Sequence, residues 1–180
     1  MSHIPLIGFP DLSKIIRPGW LVADYGGGTN PSQFANVVID TRPTNAKEKV
    51  KEVIVADCQD LHGVVADKHF DFVIASHVAE HLPNPIAFCR ELIRTAKRGY
   101  IETPSPAYEL FFEWSEHAWI VSVRGDSLCF QAKTEENCPA FSVYSSFGGT
   151  GPYEHLRSRH DPLLRTRFLW EGSFHWTVEG

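Results

Sequence analysis

Five short apolar runs, each closed by an acid or a turn residue, punctuate the first 105 residues of this 180-residue chain. They are Trp20-Leu21-Val22-Ala23-Asp24, Val37-Val38-Ile39-Asp40, Val53-Ile54-Val55-Ala56-Asp57, Phe72-Val73-Ile74-Ala75-Ser76 and Gly99-Tyr100-Ile101-Glu102-Thr103. A run that is apolar at consecutive rather than alternate positions suits a strand covered on both faces, as in parallel sheets. Between the fourth and fifth runs, Ile86, Phe88, Cys89, Leu92, Ile93 and Ala96 recur at helical spacing within Pro85–Lys97. Pro85 stands near the first turn of that helix and Lys97-Arg98 near its end. Strand and helix alternate, so the pattern predicts an α/β fold with an open, mostly parallel sheet flanked by helices.

After residue 106 the pattern changes. Tyr108–Trp114 continues as a helix. Trp119-Ile120-Val121-Ser122-Val123 and Ser127-Leu128-Cys129-Phe130-Gln131, joined by Arg124-Gly125-Asp126, predict an antiparallel hairpin. Residues 132–152, rich in Gly, Ser, Asn and Pro, predict a long loop. A short helix at Tyr153–Arg159 and a strand at Phe174–Val178 complete the expectation. Residues 111–180 hold 13 of the 22 aromatic side chains and four of the five Trp. The length suits one domain, 1–180, with a sheet-forming part at 18–105 and a hairpin and covering tail at 106–180.

Composition removes several function classes. Seventeen Lys or Arg against 22 Asp or Glu give a net charge of −5, so no broad basic face for duplex nucleic acid is expected. No apolar run reaches the roughly 18 residues of a membrane helix, and the first twenty residues lack the pattern of a secretory signal. The scattered Cys58, Cys89, Cys129 and Cys138 form no CxxC pair, which suits buried thiols in a reducing cytoplasm.

The strand ends carry the chemistry. In open α/β sheets, ligands bind beyond the carboxyl ends of the strands, where strand order reverses. The Asp24-Tyr25-Gly26-Gly27-Gly28-Thr29-Asn30-Pro31 turn belongs at such a place, and its glycines let backbone N–H groups approach a ligand closely. Asp40, at the second strand tip, suits both hydroxyls of a ribose, and Asp57 suits an adenine amino group. Any one of these is also a plain turn or cap residue; the three in order point to adenosine. A nicotinamide dinucleotide fits less well. Pro31 stands where the third Gly of GxGxxG belongs, and Asp24 would repel a pyrophosphate.

LVADYGGGTNP, VVID, VADCQDL, FDFVIASHVAEHLPNP and RGYIETPSP, taken in order, resemble the motifs of class I S-adenosylmethionine-dependent methyltransferases. The resemblance covers about residues 18–131. It is closest to bacterial methyltransferases of the methyltransferase-11-like group, in which a Glu-x-Pro-Ser-Pro turn is followed by a His-x-Trp hairpin, here His117-Ala118-Trp119. It implies a Rossmann-like, three-layer α/β/α fold with an antiparallel C-terminal hairpin, and S-adenosyl-L-methionine as cofactor. It assigns Asp24, Gly26 and Gly28 to the methionine end and sugar, Asp40 to the ribose and Asp57 to the adenine amino group. Cys58 would offer its N–H to the ring, and Ser76 and His77 would face the methionine portion or the acceptor. One departure concerns the first link. Fifteen residues (25–39) lie between Asp24 and Asp40, so a shortened first helix or a turn at Thr29-Asn30-Pro31-Ser32 replaces the usual full helix.

His77-Val78-Ala79-Glu80-His81 also matches a string used by zinc peptidases, which requires a long helix and a third ligand. Here it follows a strand and soon meets Pro83 and Pro85. An oxygen-rich magnesium site is equally out of place with His77 at its first position. No metal is expected, and Glu80 and His81 are read as fixing the loop. His77, at the cleft mouth, is the candidate general base, with a packing or cofactor-positioning role as the alternative. Glu102, His117 and Trp119 are candidate acceptor contacts; turn capping and hairpin anchoring are the alternatives. Arg157, Arg159, Arg165 and Arg167 form a basic group, read mainly as a solvated face.

The expected function is transfer of a methyl group to an oxygen or nitrogen of a small-molecule or glycan-type acceptor. The alternative is a catalytically silent S-adenosylmethionine- or adenosine-binding module, or a partner subunit. The hairpin and aromatic tail would suit a homodimer, and no membrane partner is expected.

Overall fold

The computed structural model describes residues 10–112, 114–138 and 163–180. Five parallel strands follow the predicted order: β1 (Val22–Tyr25), β2 (Val37–Asp40), β3 (Glu52–Val55), β4 (Phe72–Ser76) and β5 (Arg98–Pro104). A further strand, β8 (Arg165–Glu171), pairs antiparallel with β5, which gives the sheet order β3-β2-β1-β4-β5-β8. From β1 the chain builds outward to β2 and β3, then returns to the other side of β1 with β4. The order therefore reverses between β1 and β4, and a crevice opens beyond their carboxyl ends.

One face of the sheet is covered by α2 (Pro85–Thr95). Its first turn is set by Asn84, whose side chain accepts the Ala87 N–H at 3.0 Å, and by Pro85 at the first helical position. Phe88, Cys89 and Leu92 pack with Ala23, Tyr25 and Val73 in the main core. Polar bonds fix the helix against the sheet and its neighbours. Tyr25 Oη and Thr95 Oγ1 are 2.7 Å apart, and Glu91 Oε2 accepts the Leu61 N–H at 3.0 Å while Arg94 holds both Glu91 oxygens. On the other face, Val22, Phe72, Ile74 and Tyr100 meet Leu12, Ile15, Trp20 and Phe34. That layer is thin, since α1 (Leu12–Ile15) is a single turn.

The link from β1 to β2 contains turns and no helix. Asn36 accepts the Val22 N–H through Oδ1 at 2.9 Å, and Ser32 N–H donates to Asp24, so the short connection is held by side chains. The helix read over Tyr108–Trp114 is α3 (Pro106–Phe112).

The hairpin forms as β6 (Trp119–Arg124) and β7 (Ser127–Ala132), with Gly125 at φ +63° in the turn. It does not extend the central sheet. It joins the last strand, β9 (His175–Glu179), in a second sheet of order β6-β7-β9, and its Val121, Leu128 and Phe130 share the core that α2 covers. The antiparallel strand on the central sheet is β8, which the sequence reading passed over as an arginine cluster. In RTRFLWE, Thr166, Phe168 and Trp170 are buried on alternate positions, and so is Arg167. Gly99 makes room for this strand, because a Cβ there would stand 2.7 Å from Trp170 Nε1.

The helix expected at Tyr153–Arg159, Arg157 and Arg159 themselves, and most of the expected loop at 132–152 lie outside the described residues. All four cysteines are buried. Among the described residues, no helix is long and apolar enough to cross a membrane.

Candidate active site

The turn after β1 requires glycine for two separate reasons. Gly26 has φ +70°, and a Cβ there would stand 2.4 Å from Val78 Cγ2; Gly28 has φ +54°. The bend buries Asp24, which is 4% exposed and accepts the Ser32 N–H at 2.7 Å. Burial pushes its carboxyl up to about 6. Asp40 terminates β2, accepting from Gly28 N–H at 3.2 Å and from Arg42 N–H at 3.1 Å. Asp57 is exposed and heads a turn: its Oδ1 accepts Gln59 N–H at 2.9 Å, and Gln59 Nε2 donates to both carboxylate oxygens. Cys58 is buried, and desolvation pushes its thiol up to about 12, so it stays uncharged.

These elements enclose a cleft of about 420 Å³ at the strand ends. Gly26, Asp40, Asp57, Cys58 and His77 all line it, five residues singled out from the sequence. Asp24, Gly28, Ser76, Glu102, His117 and Trp119 do not. Its apolar walls come from Ile39, Ala56, Val78 and Leu82, with Gln59 and His81 adding polar edges. Sequence reasoning gave His81 a loop-fixing role and did not place the others at a site. Ile39 and Ala56 lay within the strand runs already read as core, and Leu82 falls in a loop without periodicity.

His77 follows β4 with φ +57°, an uncommon conformation for a non-glycine residue. Its N–H donates to Glu102 O at 2.9 Å, and its Nδ1 lies 3.2 Å from Oε1 of the buried Glu80. Its Nε2 is 3.9 Å from Glu102 Oε1 and touches the guanidinium of Arg165. Glu102 is itself held by Tyr100 Oη at 2.5 Å and Arg167 Nε at 3.1 Å. Of the four arginines expected on a solvated face, Arg165 and Arg167 stand in β8, with Arg167 buried against a strand-end acid. His117 is buried and bonded through Nδ1 to Glu109 Oε1 at 2.6 Å, while Trp119 Nε1 donates to Leu82 O at 2.7 Å. Both tie the hairpin and its approach to neighbouring segments.

Residues 26–101 match the methyltransferase domain family. No curated protein matches the chain significantly. Among solved structures, YcgJ of Bacillus subtilis is 19% identical over 49% of this chain and 46% of its own, with a TM-score of 0.43. The chain thus spans about half the length of that protein. PH0226 of Pyrococcus horikoshii OT3 is 21% identical over 61% of this chain and 65% of its own, at a TM-score of 0.47. A chain of the Haloferax volcanii complex between the Trm112 methyltransferase activator and a methyltransferase is 16% identical. It covers 89% of this chain and 85% of that one, with a TM-score of 0.58, a likeness of fold over nearly the whole length. Residues 26–101 are thus similar to a methyltransferase domain, and the likeness over nearly the whole length to the Haloferax volcanii chain is one of fold.

Proposed function

We propose that the chain transfers the methyl group of S-adenosylmethionine to an oxygen or nitrogen of a small-molecule or glycan-type acceptor. One observation carries the reading: Asp40 and Asp57, on different strands, line the same cleft as the Gly26 turn. The residues fit the cofactor. The Gly26 backbone lies where no Cβ fits, apolar walls suit a purine, and the two acids suit ribose hydroxyls and an exocyclic amine. Asp40 would hold the ribose, Asp57 the amino group and the Cys58 backbone the ring edge. Asp24, Gly28 and Ser76 would shape the methionine end from behind the lining. When bound, S-adenosylmethionine supplies an electrophilic sulfonium methyl.

His77 would take the acceptor proton. Glu80 accepts from Nδ1–H, which leaves the lone pair on Nε2, and Glu102 stands behind it. Arg165 occupies that nitrogen here and must turn toward the acceptor for His77 to act. The same contact favours a second reading, a binding module with no free base. Holding both reactants in place would supply much of the acceleration in either geometry.

Incubation with tritiated-methyl S-adenosylmethionine and fractionated cell extract separates the readings. Label in a product, lost in Asp40→Ala, supports transfer. Cofactor binding without product in any fraction favours the module, and no cofactor binding sinks both.

A further inference from the structure

At the edge of the cleft, Glu80, whose Oε1 faces His77, groups with His81 and His117, two histidines to which the proposed methyl transfer gives no role. One ligating atom from each lies within 4.8 Å of the others. The outer bonds of both imidazoles are already set. His81 Nδ1 bonds the Glu116 carbonyl at 3.1 Å, and His117 Nδ1 bonds Glu109 Oε1 at 2.6 Å. A carbonyl or carboxylate at Nδ1 makes that nitrogen the N–H donor and leaves Nε2 with its lone pair. Lys133 neutralises Glu109 from its other oxygen, at 3.2 Å.

The unbonded Nε2 atoms of both imidazoles are therefore acceptors, in a group that also holds the Glu80 carboxylate. Glu80 is 1% exposed, and its Oε2 has no hydrogen-bond partner among the described residues. His81 Nε2 is 4.0 Å from Glu80 Oε1. A buried carboxylate without a full set of partners is costly, and a cation is the group that satisfies it together with two imidazole lone pairs.

We propose that Glu80, His81 and His117 bind a divalent transition-metal ion, with zinc the best match. Two imidazoles and one carboxylate are a zinc donor set, whereas magnesium and calcium prefer oxygen throughout. The Glu109–His117 bond and the Glu116 carbonyl are the outer partners that orient metal-binding histidines. Zinc–nitrogen bonds of about 2.1 Å put tetrahedral ligands about 3.4 Å apart, so the side chains close by about 1 Å on binding. His81, half-exposed, has room to do so. Three protein ligands leave a fourth position for water or an acceptor oxygen, and His81 already forms part of the cleft wall. The sequence had argued against a metal because the His77–His81 string lacks a long helix. The third ligand comes instead from His117, 36 positions beyond His81, brought in by the segment that leads into β6.

The test is calorimetric titration of the chelator-stripped chain with zinc chloride. One zinc per chain is expected, and Glu80→Gln and His81→Gln should each weaken it at least about 10-fold. Glu109→Gln, a change at a positioning residue, should weaken it about 10–100-fold. Replacing the exposed His62 by Gln should leave it unchanged. Cobalt(II) should give intense visible bands that vanish in His81→Gln. No uptake, or uptake indifferent to both Glu80→Gln and His81→Gln, overturns the proposal. So does nitrogen-15 NMR showing His81 doubly protonated against Glu80 at neutral pH in a chain that takes no zinc. Titration with S-adenosylhomocysteine is scored separately: cofactor binding without zinc overturns only the metal site, and zinc binding without cofactor supports it.

Discussion

Asp40 Oδ2, at the tip of β2, accepts the backbone N–H of Gly28 at 3.2 Å, so the second strand end holds the turn that leaves the first. The bond leaves Oδ1 with the Arg42 N–H and keeps the carboxylate on the cleft wall. Asp40→Ala removes both the brace and the proposed ribose contact. Charge-assisted hydrogen bonds contribute about 1.5–3 kcal/mol each, so calorimetry should show S-adenosylhomocysteine binding at least about 10-fold weaker. Asp40→Asn, which keeps one acceptor, should lose less.

Gly26 admits no side chain. Its φ of +70° disfavours a Cβ, and that atom would overlap Val78 Cγ2 at 2.4 Å. Gly26→Ala should lower stability by about 1–3 kcal/mol in urea unfolding and weaken cofactor binding. The double change with Val78→Ala should recover part of the stability, because the overlap disappears and only the backbone strain remains.

The parallel half of the fold was legible because it is local. β2 and β4 begin and end where their apolar runs do, and α2 starts at the proline that its spacing indicated. The cleft residues Gly26, Asp40, Asp57, Cys58 and His77 were legible for the same reason: a strand end and its first loop residues are adjacent in sequence. β8 was not. RTRFLWE has no polar–apolar alternation, since Arg, Thr and Arg precede Phe, Leu and Trp, and the partner of both arginines, Glu102, lies 63 and 65 positions away. The hairpin was legible as a hairpin; its pairing with β9 rather than β5 depends on contacts that no local pattern encodes. The grouping of His117 with Glu80 and His81 was hidden in the same way.

Asp24 makes stability depend on pH. Its ordinary value of 3.8 is pushed up to about 6 by burial, so between these values the folded chain holds a proton that the unfolded chain has released. The stability this gives is fully present below about 4 and is lost as pH rises through 6. The shift corresponds to about 3 kcal/mol. Asp24→Asn should therefore match the wild type near pH 4 in denaturant unfolding and exceed it at pH 8, by up to about 3 kcal/mol. A variant less stable than wild type at pH 8 would show that the Ser32 bond outweighs burial. The cationic cofactor prefers the ionised acid, so its affinity should rise between about pH 5 and 7 in wild type and stay flat in Asp24→Asn.

His77 sits at φ +57°, which asparagine tolerates well. His77→Asn should leave thermal stability within about 1 kcal/mol and cofactor binding within a few-fold. Methyl transfer should fall by about 10²–10⁴ if His77 takes the acceptor proton. An unchanged rate, measured with the acceptor found by the extract screen, would assign His77 to positioning alone.

The proposed cofactor site is the cleft between the ends of β1, β2, β3 and β4. A crystal structure with S-adenosylhomocysteine tests it most directly. Ribose hydroxyls are expected on Asp40, the adenine between Ile39 and Leu82 with its amino group toward Asp57, and the sulfur facing His77. A ligand bound elsewhere, or one in this cleft that leaves Asp40 without a ribose contact, would contradict it.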